Sequence, residues 1–309
     1  MGLGAGPGLV AGEDVDISRT DCLRKEYVMT RKKMFLLCLV VAMAIGFTHE
    51  VRAEWEIGVR MAFDSNVNRA INNEDSDFLA TTYAAYSRQP SGETRMDWTL
   101  RAIVEGTAYA DYSDLNYAAA TISPGINITI NPQWSLNIAP FAQAKGVSDS
   151  DQSAIAYGVR AGLKQTWNKT LYTGQYYTYT DHNANEDVYS YAEHAVGVLV
   201  GVNWTPAFFT EVGYEYSHGD SFRTVSTSTV ASTQTAQTGK WRGQHLAFSQ
   251  SYNADVYSET VDRNAVSVNL GYDFTKSLFT LTGYTYTREK GDFDTLTYHT
   301  GFIGLGYRF

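Results

Sequence analysis

Cysteine, proline and long apolar runs are scarce in this chain of 309 residues, which has two Cys and six Pro. Both cysteines, Cys22 and Cys38, fall within the first 53 residues. The rest of the chain can therefore form no disulfide, bind no metal through thiolates and offer no cysteine nucleophile; a metal would need His or carboxylate ligands. Basic residues are outnumbered, 24 Lys+Arg against 33 Asp+Glu, so the chain lacks the basic stripe with which nucleic-acid binders meet phosphates. A mean hydropathy of −0.27 and few Leu-rich periodic segments exclude a helical membrane protein. What is abundant is aromatic residues (14%), Thr and Gly (26 residues), a composition that favours strands over helices.

Near the N-terminus Arg31, Lys32 and Lys33 precede Met34 to Phe47, an apolar or weakly polar run of 14 residues that is too short to span a bilayer. With Val51 and Ala53 flanking Arg52, residues 29–53 read as a secretory signal peptide, cleavage being expected after Ala53. Residues 1–28 show neither apolar periodicity nor a turn pattern, and we expect the natural start to be Met29. Cys38 follows Leu37, where a lipoprotein signal would want a small residue, so a lipid anchor is not expected. Removing residues 1–53 takes seven basic and six acidic residues with it and leaves 17 against 27, a net charge of −10.

From Glu54 onward the pattern has period two, in segments about ten residues long joined by alternately short and long polar connections. Met96, Trp98, Leu100, Ala102, Val104, Gly106 and Ala108 share one face; Arg95, Asp97, Thr99, Arg101, Glu105 and Thr107 share the other. Recurring after an export signal, an apolar face outward and a polar face inward is the transmembrane-barrel solution, in which every backbone group is paired between strands. The reading is an all-β, antiparallel up-and-down barrel over residues 54–309, with twelve strands expected at 54–64, 77–88, 94–111, 117–130, 134–145, 154–167, 171–180, 190–204, 208–218, 263–274, 278–288 and 297–309. Gln89–Glu93, Asn131–Gln133, Asn168–Thr170, Thr205–Ala207 and Thr275–Ser277 are tight turns, expected on the periplasmic side. Residues 219–262 are the longest outer connection and contain a Ser/Thr-rich run, Thr224 to Thr238. Trp55, Trp134, Trp167 and Trp204 fall beside the short turns, with Trp98 a few residues inside one, as an interfacial girdle would. Tyr112, Tyr117, Tyr189, Tyr216 and Tyr298 fall near the opposite ends and are expected to form the second girdle.

At the C-terminus Phe309 is preceded on alternate positions by Tyr307, Leu305, Ile303 and Gly301. This segment resembles the closing strand of Gram-negative outer-membrane barrels, the segment read by the barrel-assembly machinery. The resemblance implies delivery to the outer membrane, with Phe309, Tyr307 and Leu305 as the assembly signal. A second segment, Phe63-Asp64-Ser65-Asn66-Val67-Asn68-Arg69, is similar to the first outer turn of a loosely defined group of barrels that includes surface-lipoprotein assembly modifiers and barrels encoded with exopolysaccharide export systems. Lipoprotein modifiers usually carry a helical-repeat domain before the barrel, and no such domain is expected here.

Candidate chemistry is sparse. Ser217-His218-Gly219-Asp220-Ser221 is the nearest thing to a nucleophile cluster, but neighbours in a strand point to opposite faces and no oxyanion-hole pattern accompanies it. His194 and His299 fall on outward registers near the rim. Asp181, Asn183, Asn185 and Asp187 space oxygen ligands as the start of a calcium loop does, yet Glu186 stands where an EF-hand needs Gly and Ala192 where it needs a bidentate Glu; a solvated acidic loop is the simpler account, as for Asp149 and Asp151. No catalytic residue, metal or cofactor is expected.

The inward face holds more. Besides Glu56, Asp97 and Glu105, it is expected to carry the pore-lining residues Arg60, Arg95, Arg101, Lys145, Arg160, Lys164, Glu193, Glu211, Glu215 and Asp273. Twelve strands lie between small barrels filled by side chains and wide open porins, and small inward residues, Gly158, Gly162, Gly197, Gly201 and Gly271, are expected to leave room. Strands 3 to 6 bring the basic residues and later strands the acidic ones, so opposite signs are expected to face each other across a narrow aqueous gap. The reading is a porin-like narrow passive pore for small hydrophilic solutes, or the outer-membrane component of an export system. The rivals are a non-conducting adhesion or scaffold barrel working through its outer loops, and a membrane lipid hydrolase. Expected partners are outer-membrane lipid, lipopolysaccharide and the barrel-assembly machinery, with no nucleic acid; the oligomeric state is left open.

Overall fold

The computed structural model describes residues 53–71, 73–90, 94–225, 246–292 and 294–309. The expected signal peptide, the 1–28 extension, part of the first tight turn and nearly all of the Ser/Thr-rich run lie outside the described residues.

Thirteen strands follow in order: β1 (Ala53–Asp64), β2 (Asp77–Arg88), β3 (Met96–Tyr109), β4 (Tyr117–Asn131), β5 (Trp134–Val147), β6 (Ala154–Thr166), β7 (Leu171–Ala184), β8 (Tyr191–Asn203), β9 (Phe208–Val225), β10 (Leu246–Ser249), β11 (Ala254–Asp273), β12 (Leu278–Lys290) and β13 (Thr295–Arg308). All except β10 form a closed antiparallel ring in which each pairs with its chain neighbours, β9 passing directly to β11. The ring closes where β1 pairs with β13, from Glu56 opposite Arg308 to Asp64 opposite Thr300. Closure leaves no edge, so each ladder satisfies the backbone groups of its neighbours.

The alternation along each strand decides which face meets lipid. Ile57, Val59 and Met61 on β1, Val196, Val198 and Val200 on β8, and Ile303 and Leu305 on β13 all stand exposed on the outside. In water so large an apolar surface would drive aggregation; around a barrel it is the lipid-facing belt. Two prolines interrupt one ladder together: Pro124 and Pro140 face outward at the rung skipped between Ile122 opposite Ala142 and Ile126 opposite Ile138. Lacking N–H groups, they are best tolerated where both defects coincide.

At the end of the barrel bearing the termini and short turns, Trp55, Trp167 and Trp204 are exposed. The indoles of Trp167 and Trp204 each donate to a threonine six residues on, Thr173 at 3.2 Å and Thr210 at 3.0 Å. The tyrosine girdle at the loop end differs from the sequence reading. Tyr117 points inward, Tyr189 packs in a loop core and Tyr298 is buried inside the barrel. Tyr216 does face outward as expected, and the belt it belongs to is completed by Tyr177, Tyr214, Tyr284 and Tyr286. Proximity to a strand end says nothing about face, which the two-residue period decides.

The long outer connection is also reorganised. β9 and β11 run past the rim as a paired ribbon, Gly219 opposite Val261 through Val225 opposite Asp255. β12 stops at Lys290 opposite Asp262, and β10 pairs with Ala254–Tyr257 beyond it. Residues 219–225 and 254–262 therefore belong to strands.

The topology predicts that single cysteines at Ser150 and Ala184 react with a membrane-impermeant maleimide on intact cells, while cysteines at Lys169 and Pro206 react only after lysis. The reverse pattern would invert the assigned orientation.

Candidate functional site

Toward the short-turn end the interior is accessible to solvent. Its β2–β7 wall encloses a cavity of about 580 Å³, lined by Arg101, Arg160 and Lys164 among Ser87, Thr99, Thr121, Ser123, Asn127, Ser135 and Asn137. These side chains share the cavity because β3 to β6 present their odd (β3–β5) or even (β6) positions inward, as the registers Arg101 opposite Ser123 and Arg160 opposite Ala139 show. Arg60, Arg101, Arg160 and Lys164 are exposed to the lumen. Neither they nor Lys145 form an ion pair with any described residue. Arg95 stands just before β3, exposed at this end. Asp97, expected beside Arg95 and Arg101, instead pairs with Arg88 at 3.4 Å, whose guanidinium lies 3.4 Å over the Trp98 ring.

The acidic residues are engaged. Asp273 accepts from Arg308 at 3.2 Å, and Glu193 from Arg263 at 2.6 Å and Ser217 at 2.5 Å. Glu211 accepts from the Tyr172 hydroxyl at 2.6 Å, and Glu215 from Tyr176. The two signs thus do not face each other across an open gap; along β6 to β9 they meet on one stretch of wall, with tyrosines between them.

The glycines do not leave the room expected of them. The Tyr176 ring lies on Gly197, Tyr172 on Gly201 and Phe209 on Gly271, while Phe141 and the Tyr179 carbonyl crowd Gly158; a Cβ at any of these would clash, and only around Gly162 is the space open. Each missing side chain admits a flat aromatic ring from the next strand, a cross-strand pairing that restores the buried area glycine forfeits. Rings lying along the wall narrow the lumen less than rings standing into it.

The loop end is densely packed among the described residues. The Phe63-to-Arg69 motif singled out in sequence is buried over Asp64, Asn66, Val67 and Asn68, and its polar side chains are tied down by hydrogen bonds. Asn66, fully buried, reproduces a backbone pair with Ala70, donating to its carbonyl at 3.0 Å and accepting from its N–H at 2.9 Å. Asp64 receives a bidentate bond from Arg69 at 3.0 and 3.2 Å, and the Arg69 guanidinium lies 4.2 Å over Tyr298. Arg69 adopts φ 51°, in the left-handed region, which the surrounding bonds hold. Thr224 of the ribbon donates from its hydroxyl to the Asn68 carbonyl at 2.8 Å and from its N–H to the Arg69 carbonyl at 3.2 Å. Ile71 packs against Val225 and Tyr257. Asp77 accepts from the N–H groups of Asp111 and Tyr112.

Beside this loop lies a chain of buried and partly buried charges, of which the sequence reading had named only Glu193. Arg223, with no exposed surface, donates to Glu259 at 2.9 Å and pairs with Glu289 at 3.3 Å; Glu289 also accepts from Arg263 at 2.8 Å, which reaches Glu193. All lie at or beyond the expected strand ends, where polar residues on both faces erase the apolar alternation. A second cap element, Val188 and Tyr189 against Val256 and Phe222, anchors the 185–190 loop; burial pushes the Tyr189 phenol up to about 12, so it stays neutral.

Other sequence candidates do not converge. Ser217 faces inward to Glu193, whereas His218 faces outward to Asp262 at 3.0 Å. His194 and His299 bond outward tyrosines, Tyr177 at 2.8 Å and Tyr284 at 2.5 Å. Asp181 accepts from Tyr157 at 2.7 Å, Asn185 donates to the Ser150 carbonyl at 2.7 Å, and Asp187 opens a turn of 3-10 helix. Among the described residues no group of three or more His, Cys, Asp or Glu could hold a metal ion.

No protein-family model matches the sequence, and no curated protein matches it. Solved structures do match in shape. An outer membrane channel from Pseudomonas putida F1 aligns with a TM-score of 0.55 at 8% identity, covering 85% of this chain and 97% of that one. The KdgM porin in complex with disordered oligogalacturonate aligns at 0.48 and 9% identity, over 82% and 98%, and the NanC porin at 0.47 and 14%, over 81% and 98%. The chain has the fold of Gram-negative outer-membrane β-barrels.

The buried charge chain is expected to fail when opened. Glu289→Ala strips Arg223 and Arg263 of a shared acceptor, and its cost should be about 3–5 kcal/mol, measured as a lowered urea midpoint for unfolding of the refolded barrel.

Proposed function

We propose that this barrel sits in the outer membrane and acts as a narrow passive pore for small hydrophilic solutes, its wide mouth at the short-turn end and its constriction at the 65–76 loop. The observation that supports this most directly is the solvent-open wall of Arg60, Arg101, Arg160 and Lys164, cations without carboxylate partners among polar hydroxyl and amide groups. Unpaired charges inside low-dielectric walls focus the field and concentrate counter-ions, so the wall favours anions over cations. Pore-lining roles follow for Arg95 at the mouth and for Lys145 deeper in, whereas Glu193 and Asp273 act through the ion pairs that hold the wall together. A component of an export system would use the same lumen, loaded from the periplasm.

One observation favours the rival scaffold reading: the loop end is packed shut, Asn66, Arg223 and Glu289 being at most 1% exposed. A conducting barrel must let this cap shift, and many of its ties to the wall are hydrogen bonds and ion pairs, which can exchange with water. A hydrolase finds less support, because Ser217 and His218 face opposite ways.

Planar-bilayer recording separates these readings. The pore reading expects discrete conductance steps and an anion-favouring reversal potential under a KCl gradient, shifted toward cations in Arg101→Ala and Arg160→Ala with conductance retained or increased. Absence of steps in the wild type and both variants would support the scaffold.

The address has its own test. Phe309 is the most exposed of the terminal apolar residues, and its N–H closes the last rung to the Trp55 carbonyl at 2.9 Å. Deleting it should reduce the heat-modifiable, folded form in outer-membrane fractions.

A further inference from the structure

Three lumen cations share one arrangement that ordinary salt bridging would not produce. Lys164 lies 4.7 Å over the Tyr172 ring, whose hydroxyl donates to Glu211 at 2.6 Å. Arg160 lies 4.6 Å over Tyr176, whose hydroxyl donates to Glu215. On another part of the wall Lys145 lies 4.5 Å over Tyr117, whose hydroxyl donates to Glu105 at 3.4 Å. In each case a tyrosine ring stands between a cation and a carboxylate. The first two form parallel rungs, four residues apart on β7. Each ring lies across a glycine of β8, Tyr172 on Gly201 and Tyr176 on Gly197, and reaches the glutamate on β9, which pairs with that same glycine or its rung.

Left to Coulomb attraction, lysine and glutamate on such a wall would pair. β6 and β9 are three strand spacings apart, about 14 Å between backbones. Two long side chains leaning together along the wall narrow such a gap to a few ångströms, and between low-dielectric walls the attraction across it is stronger than in bulk water. The phenol prevents this in two ways. Its hydroxyl holds the carboxylate at the far edge of the ring, and its face gives the cation a favourable seat from which it still meets solvent.

We propose that Tyr172 and Tyr176 are positioning residues for ion selectivity: they insulate the basic wall from the acidic one and so keep Arg160 and Lys164 available to anionic solutes. The proposal rests on the pore reading for its consequence, but the insulation itself does not require conduction. Gly197 and Gly201 belong to the device, since a side chain there would lift the rings from the wall.

The test uses the refolded full barrel with the double variant Tyr172→Phe, Tyr176→Phe, which keeps both rings and frees both glutamates. Under a KCl gradient the anion-to-cation permeability ratio should fall about twofold or more as the carboxylates close on the cations. Tyr83→Phe is the control: Tyr83 also donates to a glutamate, Glu56 at 2.7 Å, but among the described residues no cation lies over its ring, and its loss should leave the ratio unchanged. A second readout needs no current. The rate of Lys164 acylation by an amine reagent, followed by mass spectrometry, should drop about threefold or more in Tyr172→Phe, because a paired ammonium holds its proton more tightly. Wild-type ratio and wild-type acylation in the variants, or an equal shift in Tyr83→Phe, would overturn the proposal. A wild-type barrel without conductance would sink the pore reading alone, and acylation would then decide the insulation.

Discussion

The need to pair every backbone N–H and C=O within the chain organises the whole molecule. Lipid offers no hydrogen bonds, so an open sheet edge at membrane depth leaves donors and acceptors stranded. The ladder from β1 round to β13 removes both edges. Once the ring is closed, the two-residue period leaves no freedom about faces: the valine and isoleucine face goes outward, and whatever alternates with it goes in. The polar interior is thus a consequence of closure. It confronts the protein with a second problem, which is what to do with a dozen or so charged groups in a confined space.

Three arrangements handle them. At the loop end charges are desolvated and paired in a chain, Glu259–Arg223–Glu289–Arg263–Glu193, beside a loop whose polar groups are nearly all satisfied internally. Such a network holds a unique packing but adds little net stability, since desolvation offsets much of the attraction. Along β6 to β9, tyrosines hold glutamates away from Arg160 and Lys164. Toward the short-turn end these two and Arg101 remain in solvent. The gradient from paired to free charge runs with the gradient from closed to open space, and it places the groups able to meet a solute at the accessible mouth. Aromatic rings seated on glycines line the wall with side chains that lie flat.

Much of this was legible in the sequence. The apolar-out alternation in β3, the turns around Asn131 and Asn168, and the tryptophans beside them located the bodies of the twelve ring strands and the short turns between them to within a few residues, because lipid imposes a strict period and interfaces attract indoles. The inward placement of Arg60, Arg101, Lys145, Arg160, Lys164, Glu211 and Glu215 followed from the same parity. The signal fails where the lipid constraint ends. Beyond Ser217 and before Arg263 both faces of the strands are polar, so nothing in the pattern distinguishes the β9–β11 ribbon from a loop, and Arg223 and Glu259 were hidden there.

Other features were present as residues without their meaning. Gly197 and Gly201 looked like vacancies; only the position of Tyr176 and Tyr172 on the neighbouring strand turns them into seats for rings. The Asp64–Arg69 motif was visible as a pattern, but its role as a self-satisfied plug depends on Tyr298 and Thr224, far away in sequence. By itself the sequence determined the barrel, its inside and its outside, because these depend on a local alternation that each strand carries alone. Whether the lumen is open, where, and which charges are free was decided by tertiary structure, because it depends on which inward side chains meet across strands, a matter of register and reach that no single strand contains.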